Sequence, residues 1–147
     1  MKRKASAIWR GGLKNGRGNL FTESGVLRET PYSFSTRFEN EMGTNPEELV
    51  AAAHAGCFAM AFSAELGKAG ILPDAIAVTA TVSLDKTDAG WTVTASHLDV
   101  TAKIPGANKT QVLGIANVAK LGCPVSRLLR ANVTMDAKVE DGNETPE

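Results

Sequence analysis

Residues 43–70 read GTNPEELVAAAHAGCFAMAFSAELGKAG, and their reading decides the fold. Asn45 can cap a helix with its side-chain oxygen, and Pro46 suits the first helical position. Glu47 and Glu48 follow in the first turn, where the helix dipole favours negative charge. The helix is predicted to run to about Lys68 and to end at Gly70, roughly 35 Å at 1.5 Å per residue. It is apolar all round from Leu49 to Ala64, so it should be buried on every side. The apolar run is Ala-rich, interrupted by His54 and flanked by Glu47, Glu48 and Glu65. A membrane span wants roughly 20 strongly apolar residues, so a core helix is the better reading. A chain of 147 residues struggles to wrap so long a helix alone. A second copy could cover what is left bare, and a homodimer with this helix near the interface is expected.

Strands are expected on both sides of this helix. Ala5 to Arg10 and Gly18 to Glu23 read as short strands joined by the Gly/Asn-rich loop 11–17. Tyr32 to Phe38 alternates, with Tyr32, Phe34 and Phe38 facing one way and Ser33, Ser35 and Arg37 the other, which predicts a half-buried strand. Beyond the helix, Ile76, Val78, Ala80, Val82 and Leu84 alternate with Thr and Ser, and Asp88-Ala89-Gly90 turns the chain. Trp91, Val93 and Ala95 begin another strand, but Leu98, Val100, Ala102 and Ile104 continue on the opposite parity. That slip predicts a β-bulge near Ser96 and His97. A helix should follow from about Lys109 to Leu121, ended by Gly122, then a short one from Pro124 to about Arg130. Val133, Met135, Ala137 and Val139 mark a last strand. The order β-β-β-α-β-β-α-α-β implies an α+β fold, with mainly antiparallel sheets around a long central helix. One domain is expected over 1–140, and the polar tail 141–147 should fray.

A hydrophobic content of 43% suits an ordinary core. Sixteen basic and 16 acidic residues give a formal net charge of +0. Phosphate binding rests on a basic surface, so nucleic acid is not the expected partner. Met1-Lys2-Arg3-Lys4 is basic, but no apolar segment follows it, so a cytoplasmic location is expected and no membrane association. Two cysteines do not make a disulfide scaffold, and intracellular disulfides tend to be transient and catalytic.

Those cysteines carry most of the chemical signal. Pro124 at a first helical position leaves Cys123 at the cap, beside free N–H groups and the positive end of the dipole, which favour thiolate. A merely packed cap cysteine fits the spacing as well. Cys57 lies embedded in the apolar helix, where burial alone would raise its pKa and make it inert. A reactive Cys57 needs a cation nearby. Gly56 in mid-helix costs about 1 kcal/mol relative to alanine, which suggests close packing against its backbone. His54 lies one turn before Cys57 and shares its face. It could hold a thiolate, or it could be a core histidine bonded to backbone, the blander account. Cys57, Cys123, His54 and His97 show no C-x-x-C or H-x-x-x-H spacing, which disfavours structural zinc. Arg37 could be simply solvated, and Glu47 and Glu48 simply complement the helix N-terminus.

The stretches TESGVL (22–27), TRFE (36–39), GTNPEELVAAAHAGCFAMA (43–61), VSLDK (82–86) and GCPVS (122–126) together give a sharper reading. Through them the chain resembles the OsmC (osmotically inducible protein C) family, relatives of the organic hydroperoxide resistance proteins, from Trp9 to about Val139. The resemblance implies an intertwined homodimer with interfacial sites, acting as a thiol-dependent peroxidase in defence against oxidative stress, without a cofactor. It implies Cys57 as the peroxidatic cysteine and Cys123 as the resolving one. It further implies Arg37 as the cation that stabilises the thiolate and Glu47 as the acid that orients it. Hydroperoxide would be the substrate, and a dithiol, such as a lipoylated protein, the reductant. The residues by themselves also admit a thiol–disulfide oxidoreductase without a peroxide role, or a non-enzymatic dimeric module holding a small apolar ligand.

Overall fold

The computed structural model describes residues 1–142. The polar tail expected over 141–147 thus falls mostly outside the described residues. The chain divides into two units, 1–49 and 50–147.

In the first unit, β1 (Ala5–Arg10), β2 (Arg17–Thr22) and β3 (Thr30–Tyr32) form an antiparallel sheet in that order. Trp9 and Tyr32 pack at 5.5 Å between ring centroids. Gly18 lies beneath both rings, and a Cβ there would come within 2.4 Å of Tyr32 and 2.7 Å of Trp9. The strand expected over Tyr32–Phe38 is overturned. Only Tyr32 belongs to a strand, and Phe34–Phe38 is a short helix, α1. Ser33 closes a capping box with Thr36, each side chain bonding the other residue's backbone N–H. Phe34 and Phe38, four apart, then stack at 5.0 Å on one face. The same spacing that mimicked alternation is helical once Ser33 caps it.

The long helix α2 (Pro46–Lys68) has the predicted bounds. Asn45 Oδ1 accepts the Glu48 N–H at 2.8 Å, the predicted cap. At the far end, Gly70 takes φ +74°, and Ile71 and Gly70 donate back to Leu66 and Gly67. These two bonds make a Schellman close, which favours glycine at the left-handed position. The chain by itself covers one side of this helix, in line with a chain too small to wrap it. Within the chain only the stripe His54, Phe58, Phe62 and Leu66 is buried, at i, i+4 spacing, while Met60 is 78% exposed. By length and composition alone α2 could cross a membrane. Its buried stripe packs instead into the protein core.

In the second unit, β4 (Ala75–Thr87), β5 (Gly90–Lys103) and β6 (Asn132–Glu140) make the second sheet. β4 and β5 pair antiparallel, but β6 runs parallel to β5, so this sheet is mixed. The register slips between Ser83 and Leu84, which pair with Ala95 and Val93. The bulge thus sits at Thr94, two residues before its expected place, and leaves Ser96, Leu98, Val100 and Ala102 facing the core. Helix α3 (Lys109–Gly122) and the short α4 (Pro124–Leu128) follow, close to expectation. Phe58, Phe62, Leu66, Leu98, Val112 and Ala116 form the centre of the core. Each large apolar side chain buried there contributes on the order of 1.5–3 kcal/mol.

Candidate active site

Cys123 is fixed at a junction. It ends α3, its N–H donating to the Ala119 carbonyl at 2.8 Å, and it caps α4, its carbonyl accepting from Arg127 at 3.0 Å. Its thiol is fully buried and lies 3.1 Å from the Cys57 sulfur, to which it donates. Both are free thiols. Folding therefore brings together two residues 66 apart in sequence.

The burial order inverts the expectation. Cys57, read as the embedded thiol, is only half-buried, and Cys123 is the enclosed one. Cys57 sits one residue from the buried stripe of α2, at its edge, and is only partly covered within the chain. Burial pushes the Cys57 thiol above its ordinary range, and the bond with Cys123 adds to the rise. The Val125 backbone N–H, in the first turn of α4, bonds to Cys57 and pulls the other way.

His54 is wholly buried one turn before Cys57. It does not bond the thiol, nor the backbone as its bland account had it. Nδ1 lies 2.6 Å from Ser96 Oγ on β5, and Nε2 lies 2.8 Å from Ser126 Oγ on α4. Burial lowers its pKa, so the imidazole is neutral and one serine donates while the other accepts. Neither serine stood out in the sequence. Ser96 falls on the core parity of β5, and that polar residue on an apolar parity was the available signal.

Arg37 and Glu47 lie together in the first unit. The Arg37 Nη2 donates to Glu47 Oε1 at 2.6 Å, and its Nε donates to both carboxylate oxygens at 3.1 Å. The guanidinium also lies 5.1 Å from the Phe38 ring centroid. Arg37 is in the last turn of α1 rather than on a strand's polar face. Glu48 makes no part of this pair and instead gives its N–H to Asn45. Next to Arg37 opens a cavity of about 260 Å³, lined by Trp9, Leu13, Tyr32, Phe34 and Phe38.

The other candidates disperse. A Cβ at Gly56 would meet no atom within 4 Å among the described residues, so the close packing expected there is absent within the chain. His97 lies on the opposite face of β5 from Ser96, with Asp99 at 3.4 Å and Asp136 at 3.0 Å. That group includes neither cysteine nor His54.

The sequence model of the family described as OsmC-like protein matches residues 38–138. The chain belongs to the OsmC family. It is 51% identical over 138 residues to peroxiredoxin OsmC of Escherichia coli K12, covering 94% of this chain and 96% of that one. It is 34% identical to the organic hydroperoxide resistance protein OhrB of Bacillus subtilis over 125 residues, 84% of this chain and 88% of the relative. Among solved structures, the organic hydroperoxide resistance protein of Elizabethkingia anophelis superposes with a TM-score of 0.70 at 26% identity, covering 96% of each chain. The Bacillus subtilis OhrB structure gives 0.66 at 25% identity, over 93% of this chain and 98% of that one.

Proposed function

We propose that the protein is a two-cysteine peroxiredoxin that reduces organic hydroperoxides, and hydrogen peroxide less well. The observation that carries this reading is the thiol pair, 3.1 Å between sulfurs, with one thiol half-buried and the other enclosed. Relatives named as a peroxiredoxin and as organic hydroperoxide resistance proteins support it over nearly the full chain.

The half-buried Cys57 is the sulfur a peroxide can reach. Its thiolate attacks the outer peroxide oxygen, the O–O bond breaks, and the alkoxide takes a proton to leave as alcohol. Cys57 becomes a sulfenic acid. Cys123, already in contact, attacks that sulfur. An S–S bond forms, the S–O bond breaks, and hydroxide leaves with the thiol proton as water. An external dithiol reopens the disulfide by exchange, a lipoylated protein or a small dithiol being the chemical class expected.

Because burial and Cys123 both push the Cys57 thiol up, a thiolate needs a cation. Arg37, held by Glu47 through a bidentate pair, is that cation in this reading, from its own chain or a partner's. It also stabilises the charge developing on the departing oxygen. The aromatic cavity beside Arg37 suits an alkyl group. The bare apolar flank of α2, with Met60 exposed, favours a homodimer. We place the enzyme in the cytoplasm, where reduced dithiols are at hand.

Reduced protein is treated with one equivalent of cumene hydroperoxide, with hydrogen peroxide in parallel, and its intact mass is followed. A fast loss of two hydrogens mapped to a Cys57–Cys123 linkage, faster with the organic peroxide, is expected. Two intact thiols after minutes would overturn the reading.

A further inference from the structure

His54 and its two serines have no part in the chemistry above, yet they join α4 to the helix that carries Cys57. Three consecutive features of the start of α4 face α2. Cys123 Sγ and the Val125 N–H both bond Cys57, and Ser126 Oγ bonds His54. On the other side Ser96 anchors the imidazole to β5, a long central strand of the second sheet. All three side chains are buried, with Ser126 the most accessible at 9%. Helix α4 has only five residues, too short to hold its own position.

We propose that the His54–Ser126 hydrogen bond, its imidazole seated on β5 by Ser96, is a positioning tether that holds the first turn of α4 against Cys57, and so sets the rate at which Cys123 closes the disulfide. Closure shortens the sulfur separation from 3.1 Å to a bonded length of about 2.05 Å. The two sulfurs start in contact and move by about an ångström along one line. A loosened α4 samples many separations instead, and misplacement of about 1 Å can cost on the order of a hundredfold. Slow closure leaves the Cys57 sulfenic acid exposed to a second peroxide, which adds oxygen to give sulfinic acid. The tether thus protects the enzyme from its own substrate. That consequence rests on the peroxidase reading, whereas the effect on closure does not.

The discriminating variants are Ser126→Ala and Ser96→Ala. Each deprives the buried imidazole of one hydrogen bond, so each should lower stability by a similar amount. Only Ser126→Ala detaches α4. Disulfide closure is timed in the full-length protein by diamide, which oxidises dithiols without peroxide. The ratio of disulfide to Cys57 sulfinic acid is then read by mass after a tenfold excess of cumene hydroperoxide. Ser126→Ala is expected to close at least about tenfold more slowly and to accumulate sulfinic acid, with Ser96→Ala nearer the wild type. Ser126→Thr, which keeps the hydroxyl, should recover much of the rate. Closure by diamide at the wild-type rate in folded Ser126→Ala would overturn the tether, as would equal slowing in both alanine variants. Slow diamide closure in Ser126→Ala alongside a wild type inert to peroxide would sustain the tether and remove the peroxidase reading.

Discussion

Arg37 and Glu47 meet across ten residues of sequence, with side chains 36% and 14% exposed. Cys57 and Cys123 meet across 66 residues, and Cys123 is fully buried. The charged pair is local: a capped turn, α1, and the first turn of α2 suffice to form it. The thiol pair depends on the core of the second unit, since α2, β5, α3 and α4 must all be in place. An ion pair this exposed contributes about 0–1 kcal/mol to stability, so little of the fold rests on it. Disturbing the charged pair should therefore change rates and leave the fold alone. Disturbing the surroundings of the thiol pair should change both.

The thiols give the largest effects. Cys57→Ser should abolish turnover with every peroxide, measured as peroxide consumed per protein in the presence of dithiol. Retained turnover would remove Cys57 from its role. Cys123→Ser should keep one rapid oxidation and lose the cycle, with Cys57 accumulating as sulfenic and then sulfinic acid by mass. It should also unfold earlier, because Cys123 is buried in a packed core and a hydroxyl there needs a partner. Full multiple turnover by Cys123→Ser would show that another group resolves the sulfenate.

The charged pair sharpens the contrast. Arg37→Met should lower the rate of Cys57 oxidation by on the order of 10²–10³, the scale for loss of one preorganised group facing developing charge. On the proposed reading it should move the pH profile of Cys57 alkylation upward, since the thiol would lose the cation assigned to it while its burial remains. Its Tm should hardly change. A large drop in Tm with an unmoved profile would make the pair structural. Glu47→Gln should cost less, about tenfold, because the guanidinium stays but is held less firmly.

The two regions were also unequally legible in the sequence. Helix α2 was readable to the residue because Asn45, Pro46 and Gly70 are local signals that act where they stand. The five residues of helix α1 fit either period, so their alternation points to a strand that the structure does not form. The Ser33–Thr36 capping box that decides between them is a weak cue beside three aromatics. Strands β4 and β6 kept their alternation, but the parallel pairing of β6 to β5 depends on chain path, which no local pattern records. In the thiol pair, residue types pointed to the chemistry while the burial order did not. An apolar helix shows that it is buried, but only packing shows which stripe is. The serines on His54 lie 42 and 72 positions from it, so no local pattern pairs them with the imidazole, although Ser96 is marked as a polar residue on the core parity of β5.

The smallest effect expected is a pH dependence, and it belongs to the thiol region alone. Burial holds the His54 pKa below its ordinary value of about 6.5. As pH falls through about 6.5, the unfolded chain takes up a proton at this histidine while the folded protein does not. The unfolded state then binds more protons, so stability falls with pH. The contribution is fully present above about pH 6.5 and is lost progressively in acid, toward the folded pKa. Wild-type Tm should accordingly fall more between about pH 7 and pH 5 than that of a His54→Gln variant, which cannot titrate. Arg37→Met should keep the wild-type slope, because it leaves His54 and both of its serine bonds in place. Equal slopes in wild type and His54→Gln would mean that the imidazole is not held neutral by its burial. The tether of α4 to α2 would then have to work with both ring nitrogens donating to the serines.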